Sequence, residues 1–191
     1  MKGVSIMVLG GITNSPALGG WTLKMRKADR LPQDVASAFY DVFDGKKLGV
    51  TYVPAYYLAA QLVNGMNHKL IAERTKLVSK GKQIKDFAVV TLNIPAGSIG
   101  GKGATKVSEE DATDFVLRDD IEKGFKKAMS NYVGVEHKPI FEIGEQIVAG
   151  VNYHFICESR IVHPDAEPYL TRVVVNNFKD TWSIVEIEKL Q

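Results

Sequence analysis

Apolar residues along the chain follow two alternating periods. Val35, Phe39, Val42 and Phe43 recur at helical spacing, and Ile121, Phe125, Ala128 and Met129 repeat that spacing 86 residues later. Each stripe predicts an amphipathic helix. Asp29 is a candidate cap and Pro32 suits the first turn of the first helix, while Asp119, Asp120 and Glu122 favour the N-terminal end of the second. After each helix the period changes to two, the signature of half-buried strands. Tyr56, Leu58 and Leu62, then Met66, His68 and Leu70, read as the two arms of a hairpin. Phe141, Ile143 and Ile147, then Val151, Tyr153, Phe155 and Cys157, read as another. Further strands are predicted at 87–94, 169–175 and 182–188. Val4–Leu9 reads as a strand that would complete the first sheet, and Gly97–Gly103 as a flexible linker.

The two halves are related. Gly49–Glu73 and Gly134–Glu158 align without gaps at an offset of 85, and nine of the 25 positions are identical, among them Pro54/Pro139, Gln61/Gln146, Val63/Val148, Gly65/Gly150 and Asn67/Asn152. Such density over one fixed offset points to an internal repeat. The expected architecture is α+β: two tandem modules, each an antiparallel β-sheet wrapped on one long α-helix. Their expected boundaries are 1–97 and 104–191, joined by the Gly-rich linker 98–103.

Composition narrows the function classes. The formal net charge of the 191 residues is +2, from 24 basic and 22 acidic side chains, too weak and too evenly spread to argue for nucleic acid. No apolar run is long enough to span a bilayer as a helix. Cys157 is the single cysteine, so no intrachain disulfide forms and the compartment stays open. The start of the chain reads either as a strand or as a short signal peptide with Ser15-Pro16-Ala17 at its cleavage site. Gly97–Gly103 is one residue short of a phosphate loop and lacks the following Ser or Thr. His154 and Cys157 have opposite parity on one strand, so they cannot converge on a metal or act as a nucleophile–base pair. His137 and His163 are isolated, and no convergent polar cluster supports a catalytic or small-ligand reading. No enzyme, cofactor or metal is expected.

The functional signal is the pair of hairpin tips, Gln61-Leu62-Val63-Asn64-Gly65 and Gln146-Ile147-Val148-Ala149-Gly150. Glycine permits positive φ and close backbone approach. By parity Val63 and Val148 face away from the helix and from Phe141 and Ile143, leaving them exposed. A rigid apolar tip of this kind can enter a cleft and be desolvated there. The Gln-x-Val-x-Gly pattern resembles the central hairpin of the cystatins, inhibitors of papain-like cysteine proteases. That resemblance implies inhibition by occlusion through three elements: a glycine near the N-terminus, the tip, and a Pro-Trp pair in a second hairpin. It assigns Gly19 and Gly20 to the first tip, Gly100 and Gly101 to the second, and Trp182 to the second hairpin, where Asp180-Thr181 stand in place of the proline. The first module is the expected better inhibitor, because its glycines follow a free segment. The alternative is an interaction scaffold, or an inhibitor of another protease class, built on the same fold.

Overall fold

The computed structural model describes residues 20–44 and 48–190; the strand expected at Val4–Leu9 and the candidate Gly19 lie outside them. The chain divides into two compact units, with the boundary between Ala112 and Thr113. The first holds a five-stranded antiparallel sheet in the order β1 (Trp21–Lys27), β2 (Val50–Val63), β3 (Gly65–Leu77), β4 (Gln83–Ile94), β5 (Thr105–Asp111), with helix α1 (Gln33–Phe43) between β1 and β2. The second holds a four-stranded antiparallel sheet in the order β6 (Val135–Val148), β7 (Gly150–Ile161), β8 (Tyr169–Phe178), β9 (Thr181–Lys189), preceded by helix α2 (Asp119–Met129).

The helices form where the apolar stripes fall. Val35, Ala38, Phe39 and Phe43 of α1 are buried against Tyr57, Leu70, Val90 and Leu92 of the sheet. The first turn of α1 holds Asp34, whose Oδ1 accepts the Val35 N–H at 2.9 Å. Pro32 rather than Asp29 stands at the N-cap, and Asp29 lies in a separate 3-10 turn, Ala28–Arg30. In α2, Ile121, Gly124 and Phe125 are buried. Asp119, Asp120 and Glu122 begin the helix and Lys126 and Lys127 end it, as the helix dipole favours.

The expected α+β architecture of sheets wrapped on long helices is not what the chain forms. Both helices have 11 residues, about 16 Å at 1.5 Å per residue. The hairpin strands have 14, 13, 14 and 12 residues, roughly 40 Å or more each. The fold is dominated by antiparallel sheet, and each helix covers only part of one face. The buried stripe of α1 starts at Val35 and ends at Phe43.

The repeat is visible in the backbone. β2 carries bulges between Pro54 and Tyr56 and between Tyr57 and Ala59; β6 carries them between Pro139 and Phe141 and between Glu142 and Gly144, at the same 85-residue offset. Proline cannot donate to the ladder; β2, paired on both sides, tolerates Pro54 at a bulge, and β6 carries Pro139 on an edge of the described sheet. The bulges also correct the parity count. Phe141 pairs with Ile156 and Val148 with Gly150, and both pairs lie on the face opposite Tyr153 and Phe155, which pack on α2. Phe141 and Val148 therefore share a face, contrary to a count in twos.

Residues 98–103, expected to link two modules, instead lie within the connection from β4 to β5. The strand that follows, Thr105-Lys106-Val107-Ser108-Glu109-Glu110-Asp111, pairs with β4 from Asn93↔Thr105 to Ala88↔Asp111 and completes the first sheet. In the second sheet the same connection is a two-residue turn, Lys179-Asp180, with φ of 49° and 60°, as a primed hairpin turn requires.

The two units differ in what covers the middle of the helix. Gly101 is buried, and a Cβ on it would collide with the Asp34 carbonyl and with Ala38 of α1. In the second unit the matching helix position is Gly124, and the Trp182 indole occupies the space its Cβ would need. Trp182 stacks on Tyr153 with ring centroids 5.3 Å apart. Gly124→Ala is therefore expected to destabilise by about 1 kcal/mol net: crowding of roughly 1–3 kcal/mol outweighs the ~1 kcal/mol that alanine gains in a helix. It should also shift tryptophan emission as the indole is displaced. Stabilisation with unchanged emission would contradict this packing.

Candidate functional site

Each hairpin tip is built from the same parts. In the first, Gln61 pairs with Asn67, Leu62 with Met66 and Val63 with Gly65; in the second, Gln146 pairs with Asn152, Ile147 with Val151 and Val148 with Gly150. Met66 and Val151 pack on the helix-side clusters, so Gln61, Val63, Gln146 and Val148 face the other way. A ladder of amides crosses three strands on that face. Asn93 Nδ2 donates to Asn67 Oδ1 at 2.8 Å and to the Asn64 carbonyl at 3.4 Å, and Asn67 Nδ2 donates to Gln61 Oε1 at 3.1 Å. In the second unit Asn176 Nδ2 donates to Asn152 Oδ1 at 2.8 Å and to the Ala149 carbonyl at 3.3 Å, and Asn152 Nδ2 reaches Gln146 Oε1 at 3.5 Å. Each third-strand asparagine thus ties the tip carbonyl to the sheet. The repeated Gln and Asn brace the hairpin from within.

The repeated glycine also has an internal reason. Gly65 has φ of 97° and Gly150 of 89°. A Cβ on Gly65 would overlap the Ile94 carbonyl and crowd Pro95; on Gly150 it would overlap the Asn177 carbonyl and crowd Phe178. The neighbouring strand's end passes too close for a side chain.

The valines have no such internal account. Val63 is 39% exposed and Val148 45%, beside Leu62 at 52% and Ile147 at 69%. Asn64 and Ala149 at the turns are exposed as well.

The remaining expected elements are placed unevenly. Trp21↔Gln61 is the outermost pair of β1 with β2, so Gly20, one residue earlier, lies at the tip end of the first sheet. The segment after Gly20 is a paired strand, and the free segment expected before Gly19 lies outside the described residues. Lys69 Nζ sits 4.7 Å from the centroid of the Trp21 ring beside that tip. Gly100 and Gly101, assigned by resemblance to the second tip, belong to the β4–β5 connection of the first unit, and the buried Gly101 is used against α1. Trp182 is taken up by Gly124 and Tyr153 and does not project from its turn. The exposed aromatic there is Phe178, 47% exposed, with its Cα against Gly150. Sequence reading passed over Phe178, although Asn177-Phe178-Lys179-Asp180 before a strand is a turn pattern that would have flagged it.

Among the described residues no group of His, Cys, Asp and Glu is arranged to hold a metal. Cys157 is fully buried, and burial pushes its thiol well above the ordinary range, which removes it as a nucleophile. His68 is buried and bonded to the Tyr57 hydroxyl at 2.7 Å, and burial lowers its pKa to about 4, so it is neutral packing. His137, isolated in sequence, is brought together with Ser159 and Thr171. No protein-family model matches the chain, and no characterised protein matches it either.

Proposed function

We propose that the protein inserts an apolar hairpin tip into the cleft of a partner, and that the partner is a papain-like cysteine protease inhibited by occlusion. The observation that carries this reading is a difference within one motif. Its Gln, Gly and Asn are explained by the amide ladder and by strand contact, whereas its valine is exposed in both copies. A side chain repeated without internal use is a candidate for external use. The resemblance of Gln-x-Val-x-Gly to the cystatin tip supplies the target class. Binding costs little ordering entropy because the tip is already held by its third strand. The first unit is the stronger candidate, since Gly20 lies beside its tip, while Gly100 and Gly101 are committed to the first unit. Phe178 gives the second tip an aromatic of its own, which favours a different cleft for that unit.

The test is inhibition of papain by the parent protein and by Val63→Asp and Val148→Asp. A carboxylate forced into a desolvated contact costs about 3 kcal/mol, so the inhibition constant should rise about a hundredfold for Val63→Asp. Val148→Asp should change it little. A parent protein that does not inhibit papain removes the protease reading, and loss confined to Val148→Asp transfers it to the second tip.

A further inference from the structure

β6 is an edge strand of its sheet: β7 lies on one side, and no described strand lies on the other. Its repeat partner β2 is not an edge. β1 runs antiparallel along it, with Trp21 opposite Gln61, Thr22 opposite Ala60 and Leu23 opposite Ala59, then a bulge before Arg26 opposite Tyr57. β2 and β6 share their bulges and their tip motif, so the backbone that receives β1 in the first unit is present in the second.

Chain order explains why the second unit has no such strand of its own. At the 86-residue offset between the helices, the counterpart of β1 falls at 107–113. Most of that stretch is β5, which pairs with β4 in the first sheet. The segment that should lie beside β6 is used to close the other unit.

The edge left behind is poorly guarded. Lys138 and Pro139 stand near its start, but from Ile140 to Val148 it holds neither lysine nor proline, and its charges are Glu142 and Glu145. Long, largely apolar edges of this kind recruit another strand. The burial of a bulge residue points to a cover as well. Ile143 is 3% exposed without belonging to the cluster beneath α2. Its counterpart Leu58 is 0% exposed and lies between Tyr57 and Ala59, both paired with β1.

A second sequence like β1 stands earlier in the chain. Gly3-Val4-Ser5-Ile6 matches Gly20-Trp21-Thr22-Leu23 in kind at each position: glycine, large apolar, hydroxyl, branched aliphatic. Val4, Ile6 and Val8 continue the period of two that a half-buried strand needs. Residues 10–19 span up to about 35 Å when extended, so this segment is not confined to the sheet that β1 joins.

We propose that residues 4–9 form the missing edge strand of the second sheet, antiparallel to β6 and in the register of β1 on β2. Val4 then lies opposite Gln146, Ser5 opposite Glu145 and Ile6 opposite Gly144. This moves the strand expected at Val4–Leu9 from the first sheet to the second. It closes the β6 edge against pairing with a second chain, and it does not rest on protease binding.

The test is NMR on the full chain. Backbone NOEs should join Val4 to Gln146 and Ile6 to Gly144, and none should join residues 4–9 to 56–61. In a mixture of isotope-labelled and unlabelled chains, these NOEs should stay within one chain. Adjacent N–H groups of a strand point to opposite sides, so one of Ser5→Pro and Ile6→Pro removes a ladder donor. At least one of the two variants should speed hydrogen exchange tenfold or more at the amides of 141–146 that point away from β7, with amides at 56–61 unchanged. Absence of NOEs between residues 4–6 and 144–146 in the parent overturns the proposal. So does parent-like exchange at 141–146 in both proline variants. NOEs to 56–61 instead would return the strand to the first sheet, and NOEs between labelled and unlabelled chains would make the occupant a second copy; either result refutes the assignment.

Discussion

Replacing Arg74 with methionine is expected to lower stability by about 3 kcal/mol at neutral pH, because it strips the buried countercharge from partly buried carboxylates. The Arg74 side chain is 4% exposed and holds Asp86 with both ends of its fork, at 2.8 and 2.9 Å. It also reaches Glu109 Oε1 at 3.3 Å and pairs with Asp111. Lys76 would remain on Asp86 at 2.7 Å and Lys106 on Glu109 at 3.3 Å, both more exposed than the guanidinium. Asp111, 43% exposed, is solvated enough to add little. Burial raises the pKa of Asp86, but its hydrogen bonds to Arg74 and Lys76 outweigh that and hold it below the usual carboxylate value. A depressed acid contributes stability that is present above its unfolded pKa of about 4 and is lost as pH falls through the lower folded value. The gap between parent and Arg74→Met should therefore be widest near neutrality and narrow in acid. Urea denaturation across pH measures it. A gap below 1 kcal/mol at pH 7, or one that widens in acid, would show that the ion cluster is not what holds this end of the first sheet.

That cluster also shows where sequence reading stops. Arg74, Asp86, Glu109 and Asp111 come from three strands, and no spacing along the chain brings them together. β5, which the sequence reading left without a strand inside the second module, is missed because its exposed, acidic sequence shows no apolar alternation: Glu109 and Asp111 pair with Arg74 instead of joining the core. The repeat, the hairpin tips and the helix stripes are legible because identical residues recur at one offset and because burial imposes its period. The parity of β6 is not, since two bulges each insert a residue that a count in twos cannot see. Trp182 is misplaced for a related reason: the socket that takes it is the missing side chain of Gly124, some 58 positions earlier. His137, Ser159 and Thr171 meet only through the β6–β7–β8 register, which also explains why His137 reads as isolated. The exposure of Val63 and Val148 was readable, and it is the part on which the protease proposal depends.

Gly65→Ala is expected to destabilise by about 2–6 kcal/mol, the combined effect of backbone strain at roughly 1–3 kcal/mol and overpacking at roughly 1–3 kcal/mol. With φ of 97° the residue lies where L side chains rarely go, and its Cβ would overlap the Ile94 carbonyl and crowd Pro95 and Ala96, which are backbone and cannot rotate away. The tip must then lift off the end of β4. That movement pulls the Asn64 carbonyl from Asn93 and loosens the Gln61–Asn67–Asn93 ladder. Gly97→Ala separates the two causes. Gly97 also has positive φ, 76°, but open space surrounds the position of its Cβ, so only strain applies and about 1 kcal/mol is expected. Hydrogen exchange should show faster amides at 62–67 in Gly65→Ala and parent-like rates there in Gly97→Ala. If Val63 enters a cleft as part of a pre-formed tip, Gly65→Ala also weakens papain inhibition, although the valine itself is untouched. Equal destabilisation by the two alanines would mean that the close passage of β4 does not constrain the tip, and the rigidity on which docking relies would have no basis.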